Sequence, residues 1–273
     1  MSSSIVASDG TTIAYEAFGR SDGEPLLMIQ GLGTDARGWA LQRMPLGRRY
    51  RCFAIDNRGV GGSSNAPRPF SLEQMAADAV AVLDAEGIDR AHVMGASMGG
   101  AIAQILGVRY QERVRSLVLA CTSCRHHEWR RELFEEWSAA VLERGMGALT
   151  AEGLQWLIGP RLHRRFGMWI NLLARIVLQA TPENFAAQVQ AILEMDDDVR
   201  FELETVRAPT LVITGSQDLL TPLGDAEEIA ELIPMARLVE LRGAAHGLMV
   251  EAPNAFNRAV LSFLSESARE AVA

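Results

Sequence analysis

The pentapeptide Gly95-Ala96-Ser97-Met98-Gly99 stands where the chain changes its period. Ala91-His92-Val93-Met94 before it is short, apolar and partly β-branched, as a buried strand is, whereas Met98 to Arg109 carries Ala101, Ile102, Ile105 and Leu106 at helical spacing. A strand that enters a helix within so few residues makes a sharp turn, and Ser97 is at its apex. Glycines on both sides let neighbouring backbone approach closely, so the hydroxyl is presented and not buried. The helix start leaves N–H groups without partners, and that of Met98 points at any negative oxygen forming beside Ser97.

The chain around this turn alternates strands and helices. Thr12 to Phe18 reads as an edge strand entered through the Asp9-Gly10 turn, so the chain opens as a hairpin. Pro25 to Gln30 is a continuous apolar run, a strand buried on both faces, and Gly31-Leu32-Gly33-Thr34-Asp35 follows it directly. Arg51 to Ile55 is the next strand; the glycine-rich loop after it holds Asp56 and Arg58, which are placed to pair and brace it. Ser71-Leu72-Glu73-Gln74 is a capping box that starts a helix running to about Glu86. Val114 to Ala120 is a further buried strand. Such alternation implies a mostly parallel, doubly wound sheet.

The rhythm stops between Cys124 and Val199, where only helical segments are readable, among them one capped by Thr181-Pro182. It resumes with a strand at Thr210 to Gly215, a helix after Thr221-Pro222, a last strand at Arg237 to Leu241 and a helix after Pro253. The expected organisation is one core of about eight strands formed by residues 1–123 and 200–273, with residues 124–199 as a helical lid. Four of the five tryptophans, Trp129, Trp137, Trp156 and Trp169, fall in that lid, where they are expected to serve both its core and a substrate wall.

Composition narrows the function classes. The net charge of −8 with scattered basic residues offers no groove for nucleic acid and no face for an anionic membrane. All 26 basic residues are arginine, which rules out lysine-based covalent chemistry. No stretch is long and apolar enough to span a bilayer and the first residues lack a secretory pattern, so a cytoplasmic location is expected. Three cysteines suit a reducing compartment. Cys121-x-x-Cys124 near His126 and His127 lacks a second ligand pair, so no metal and no cofactor are expected. Arg161, Arg164 and Arg165 read as a solvated helix face.

A nucleophilic serine needs a base and a carboxylate that orients it. Of the five histidines, His92 is inside a strand, and His126, His127 and His163 belong to the lid, remote from a sheet-mounted base. His246, in a small-residue loop just past the final strand, sits at the carboxyl edge of the sheet. Asp218 follows the strand after the lid at the same edge, and the strand ending at Ala120 offers no carboxylate there. Asp56 is the weaker rival because it precedes the serine.

The order Ser97, Asp218, His246, together with the Gly31-Leu32-Gly33 loop, Asp56-x-Arg58-Gly59-x-Gly61 and Gly215-x-x-Asp218, resembles the α/β-hydrolases over nearly the whole chain. The resemblance implies the α/β-hydrolase fold and a second oxyanion donor, the N–H of Leu32, opposite that of Met98. Gln30 replaces the histidine that many members carry before that glycine, and is read as a loop brace and a pocket residue. Leu32-Gly33-Thr34-Asp35 followed by Trp39 is similar to the corresponding loop of 3-oxoadipate enol-lactonases, which raises a small ester or lactone as substrate. The expected activity is carboxylic ester hydrolysis of a small, largely apolar molecule through an acyl-enzyme. A cofactor-independent haloperoxidase or a C–C bond hydrolase would use the same three residues, and a ligand receptor on this fold is the reading from a different class. The oligomeric state is not encoded in any pattern of the chain.

Overall fold

The computed structural model describes residues 2–66, 68–195 and 197–270. Eight strands, β1 (Ser2–Val6), β2 (Thr12–Gly19), β3 (Glu24–Ile29), β4 (Tyr50–Ile55), β5 (Ala91–Ala96), β6 (Val114–Ala120), β7 (Thr210–Gly215) and β8 (Ala236–Leu241), form one sheet in the order β1-β2-β4-β3-β5-β6-β7-β8. β1 and β2 run antiparallel to their neighbours, and all pairs from β4 to β8 are parallel. The edge strand is therefore Ser2–Val6, and Thr12–Gly19, read as the edge, is one place further in. Its exposed and half-exposed polar residues give β1 no apolar signature, because an edge strand packs on little but its one partner.

Alternate residues of the central strands feed two cores. Leu27, Ile29, Phe53 and Val93 face one side, where α2 (Leu72–Ala85) and α3 (Met98–Arg109) cover them with Met75, Val82, Ile102 and Ile105. Leu26, Met28, Ala54 and Met94 face the other side, against Trp39 and Leu46, the latter on α1 (Ala40–Gly47). α2 starts as the sequence dictates: Ser71 Oγ accepts from Gln74 N at 3.3 Å and the Gln74 side chain accepts from Ser71 N at 2.9 Å.

Between β6 and β7 the described residues form the helices α4 (Glu128–Arg144), α5 (Gly147–Glu152), α6 (Leu154–Leu157), α7 (Pro160–Val177), α8 (Pro182–Leu193) and α9 (Asp197–Glu202). α4 packs on α8 through a buried stripe of Arg130, Phe134, Trp137 and Val141, spaced as successive turns of one helix face. The remaining helices are α10 (Leu223–Leu232), α11 (Leu248–Glu251) and α12 (Pro253–Glu270), the last of which adds Phe256, Val260 and Leu264 to the second core. Among the described residues no helix is long and apolar enough to cross a membrane.

Asp56 and Arg58 do not pair with each other. Asp56 accepts from Ala36 N and Gly62 N, each at 2.8 Å, and so folds two loops around one carboxylate. Arg58 is buried and grips Asp78 with two bonds of 2.8 Å and Asp9 with a third of 2.8 Å. Both residues brace the sheet edge, by separate networks.

Candidate active site

The chain leaves β3 for β4 on one side and reaches β5 on the other, so the carboxyl ends of β3 and β5 flank a point of strand-order reversal, where open α/β sheets form a crevice. Ile29 pairs with Gly95, which sets the 30–35 loop directly beside the turn at Ser97. A Cβ on Gly95 would lie 2.0 Å from Gly99 O, and one on Gly99 would lie 2.1 Å from Ile29 O, so no other residue fits at either position. The turn bends sharply at Ser97 itself, whose φ of 54° and ψ of −118° are rare for a residue with a side chain. Ser97 N donates to Ala120 O at 2.9 Å, and Ser97 O accepts from Gly100 N at 2.8 Å and from Thr122 Oγ1 at 2.8 Å, which fix the strained conformation from three sides.

β7 and β8 deliver the other two expected residues. Asp218 Oδ1 accepts from Leu220 N at 3.0 Å and Thr221 N at 2.9 Å, while Oδ2 accepts from Thr221 Oγ1 at 2.8 Å. Its carboxylate is fully buried and meets His246 Nδ1 at 2.9 Å through Oδ2. That contact orients the ring and leaves Nε2 as the other nitrogen. Thr221 Oγ1 lies 3.2 Å from the same Nδ1 and closes the network. The His246 loop is itself held by Glu251, whose carboxylate accepts from Ala245 N and from Gly159 N of the insertion, both at 3.2 Å. Burial pushes the Glu251 carboxyl up, and those N–H bonds pull against it.

Ser97 and His246 open onto one cavity of about 200 Å³. Among the described residues no hydrogen bond joins their side chains, and none uses the N–H of Leu32 or Met98, which also line the cavity. Catalytic hydrogen bonds commonly tighten only around a bound substrate. Cys121 lies beneath the turn with a φ of 42°; burial, reinforced by the Asp218 charge, drives its thiol pKa well upward and keeps it protonated. Gln30 is buried, with Oε1 accepting from Gly31 N at 3.2 Å and its main-chain oxygen from Asn57 Nδ2 at 3.0 Å, so it does brace the loop as well as line the cavity.

The tryptophans divide. Trp137 lines the cavity, whereas Trp129 and Trp156 stack on one another with centroids 6.1 Å apart and are absent from its wall. The reason is helical phase: Trp137 is on the buried stripe of α4 and Trp129 is off it. The side chain of Trp169 lies outside the described residues. His92 is packed inside the sheet, 2.7 Å from Ser116 Oγ, and Arg161, Arg164 and Arg165 are exposed on α7. Among the described residues no group of three or more His, Cys, Asp or Glu is placed to hold a metal ion.

Three residues on the insertion side were not legible as parts of this site. Gln188, fully buried, accepts from Gly33 N at 2.8 Å and donates to Arg58 O at 3.1 Å; four residues earlier on α8, Asn184 donates to Gly59 O at 3.2 Å. Two amides one turn apart on an otherwise apolar face were the available signal. The third is His126, which lines the cavity although it belongs to the insertion. The insertion also reaches the 31–35 loop by backbone: Thr34 and Leu178 form an antiparallel bridge, Gln179 N donates to Gly33 O at 2.9 Å and Asp35 N to Val177 O at 3.2 Å.

This geometry has close counterparts. The family described by the alpha/beta hydrolase fold matches residues 24–168, and a second description, TAP-like protein, matches residues 189–272. The chain is 33% identical over 257 residues to a Caulobacter sp. (strain K31) protein provisionally named carbamate hydrolase RutD, covering 91% of this chain and 93% of that one. It is 30% identical over 246 residues to 3-oxoadipate enol-lactonase 2 of Acinetobacter baylyi, covering 90% of each. The crystal structure of the enol-lactonase from Burkholderia xenovorans LB400 superposes with a TM-score of 0.89 at 29% identity, over 96% of this chain and all of that one (100%). A sheet that reverses at β3 and β5, a serine on the turn from β5 into α3 and relatives matched over about nine-tenths of the chain lead to one conclusion: this chain belongs to the alpha/beta hydrolase fold family.

Proposed function

We propose that the protein is a serine hydrolase that cleaves a carboxylic ester or lactone of a small, largely apolar substrate, with Ser97, His246 and Asp218 as its triad. The observation that carries this reading is the buried Asp218 carboxylate, bonded by three donors of its own loop and set 2.9 Å from His246 Nδ1, with His246 and Ser97 sharing one cavity. His246 Nε2 takes the proton of Ser97 as Oγ attacks the carbonyl carbon, and Asp218 stabilises the resulting imidazolium. The oxyanion is received by the N–H groups of Leu32 and Met98; one such donor lowers the barrier by about 3 to 4 kcal/mol. Nε2 returns the proton to the leaving alkoxide, whose C–O bond breaks to give the acyl-enzyme. Water, deprotonated by the same nitrogen, then attacks the acyl carbon, and the acid leaves as Ser97 regains its proton. With a lactone the alcohol and the acid are two ends of one product.

Residues 124–199 act in this reading as a lid. They supply Phe134, Trp137, Leu149 and Phe185 to the cavity, a largely apolar wall that favours a hydrophobic acyl or alcohol part. The relatives' names support hydrolysis of carbonyl compounds, and the enol-lactonases favour the lactone arm. The test is turnover of a short p-nitrophenyl ester by wild type and Ser97→Ala, alongside stoichiometric labelling of Ser97 by a fluorophosphonate. Expected is a loss of about 10⁵-fold or more in kcat in the variant with the fold intact. Wild-type-like turnover without Ser97 overturns the mechanism, and a screen of esters against lactones and carbamates of graded chain length then identifies the carbonyl class.

A further inference from the structure

The insertion grips the chain on both sides of His246. The residue before it, Ala245, donates its N–H to Glu251 Oε1 at 3.2 Å, and the same carboxylate accepts from Gly159 N, in the insertion just ahead of α7, at 3.2 Å to each oxygen. The residue after it, Gly247, donates its N–H to Leu157 O at 2.7 Å. Two segments far apart in sequence thus meet through one direct bond and one shared carboxylate. A residue held at both neighbouring peptides keeps little freedom in its own two backbone dihedrals, so the place of the imidazole follows the place of residues 157–159.

The packing leaves no slack in this seam. A Cβ on Gly247 would lie 2.7 Å from Ile158 Cδ1 and 3.1 Å from Leu157 O. A Cβ on Gly159 would lie 2.7 Å from Glu251 Oε2, while its next neighbours, Gln217 Oε1 and Ala245 Cβ, stand at 3.5 and 3.6 Å. The Glu251 carboxylate is therefore the group that a side chain at position 159 would displace. Its charge matters as well as its place. Burial pushes the carboxyl up, and the Gly159 and Ala245 N–H groups pull it down. An anion accepts at both oxygens, whereas an amide or a protonated acid that keeps the Ala245 bond turns a donor toward Gly159 N. The insertion end of the seam is also cavity wall, since Leu157 lines the cavity together with His246 and Gly247.

We propose that Glu251 is a positioning residue for the hydrolysis: it makes the seat of residues 157–159 part of what holds His246 in line with Ser97. That role rests on the ester-hydrolase reading and lies one step outside the triad, because Glu251 acts through the Ala245 peptide and not on the reacting atoms. The insertion then serves the rate as well as the binding, since moving its 157–159 segment moves the base. No bond is made or broken at Glu251.

The test is a double-mutant cycle on p-nitrophenyl butyrate, with kcat taken per site titrated by a fluorophosphonate. Glu251→Gln and Gly159→Ala, on opposite sides of the seam, are each expected to lower kcat about tenfold with KM within about twofold of wild type, as a small misplacement of the base does. Both act through one carboxylate, so the double variant is expected to stay within about twofold of the slower single variant, where independent effects would multiply to about 100-fold. A role confined to stability lowers the urea midpoint and leaves kcat per titrated site unaltered. That result in either single variant overturns the proposal, as do effects that multiply or a loss carried by KM alone. If Glu251→Gln does not fold, Gly159→Ala is read by itself: a tenfold loss in kcat supports the positioning role and an unaltered kcat overturns it. Where wild type takes the label without turning over the ester, the second-order rate of labelling is read in place of kcat. A wild type that does neither overturns the hydrolase reading and the positioning role with it, whereas every other outcome leaves that reading standing.

Discussion

His246 and His126 face the same cavity and are treated in opposite ways by the chain around them. His246 stands at the carboxyl edge of the sheet, with Nδ1 tied to Asp218 and Thr221 and its loop clamped by Glu251. His126 stands on the helical side with neither nitrogen bonded. The sheet edge completes its own hydrogen bonds and so fixes the His246 geometry, whereas the ring of His126 is held by packing against Phe134. In the proposed reading the reaction chemistry is placed at the sheet edge, on a scaffold that serves many substrates.

The largest predicted effect bears on the first half of that contrast. Asp218→Asn keeps the shape but loses the charge and the correct His246 tautomer, and kcat is expected to fall about 10⁴-fold with KM little changed. Steady-state kinetics that show an unaltered kcat would mean that the sheet edge does not set the geometry. A smaller effect tests whether the two regions are separable. Gln188→Leu removes the acceptor for Gly33 N, and kcat is expected to fall about 10- to 100-fold as the 31–35 loop loosens. Should KM alone change, the amide belongs to recognition and the boundary moves.

The smallest concerns stability. His126 has a value near 6.5 when unfolded and about 3 when folded, so between those values the unfolded chain binds a proton that the folded one refuses. Its contribution is therefore present above pH 6.5 and is lost as the pH falls through that window. Wild type should lose about 2 kcal/mol from this group between pH 6.5 and about pH 5, and His126→Leu should not. Urea midpoints at the two pH values measure the difference. Equal slopes would show that the unbonded histidine is hydrated.

The strands of the sheet were readable because each central one is an apolar run, and Met98–Arg109 and Val114–Ala120 have the ends that the sequence indicates. β1 was not, since Ser2-Ser3-Ser4 carries no apolar alternation. Ser97, Asp218 and His246 could be singled out because each follows its own strand, and a parallel sheet gathers such positions at one edge. The cavity wall obeys a different rule. Trp129 and Trp137 are the same residue type on the same helix, and only the phase of α4 against α8 decides which one faces inward. The sequence places His126 in the insertion, away from a sheet-mounted base, and the fold sets it on the wall of the Ser97 cavity.

Because Thr34 and Leu178 pair backbone to backbone, with Gly33 O and Val177 O bonded across, the 31–35 loop and the segment after α7 make one short ribbon. Backbone pairing is indifferent to side-chain identity, so register is what such a ribbon demands. A chimaera that imports another member's helices between Cys124 and Val199 would rejoin there if the spacing to its counterpart of Leu178 is kept. The tie from Gln188 to Gly33 N crosses over only if the donor also carries an amide at that place. Length is thus the first design variable for exchanging the specificity of this enzyme, and a single buried glutamine is the second.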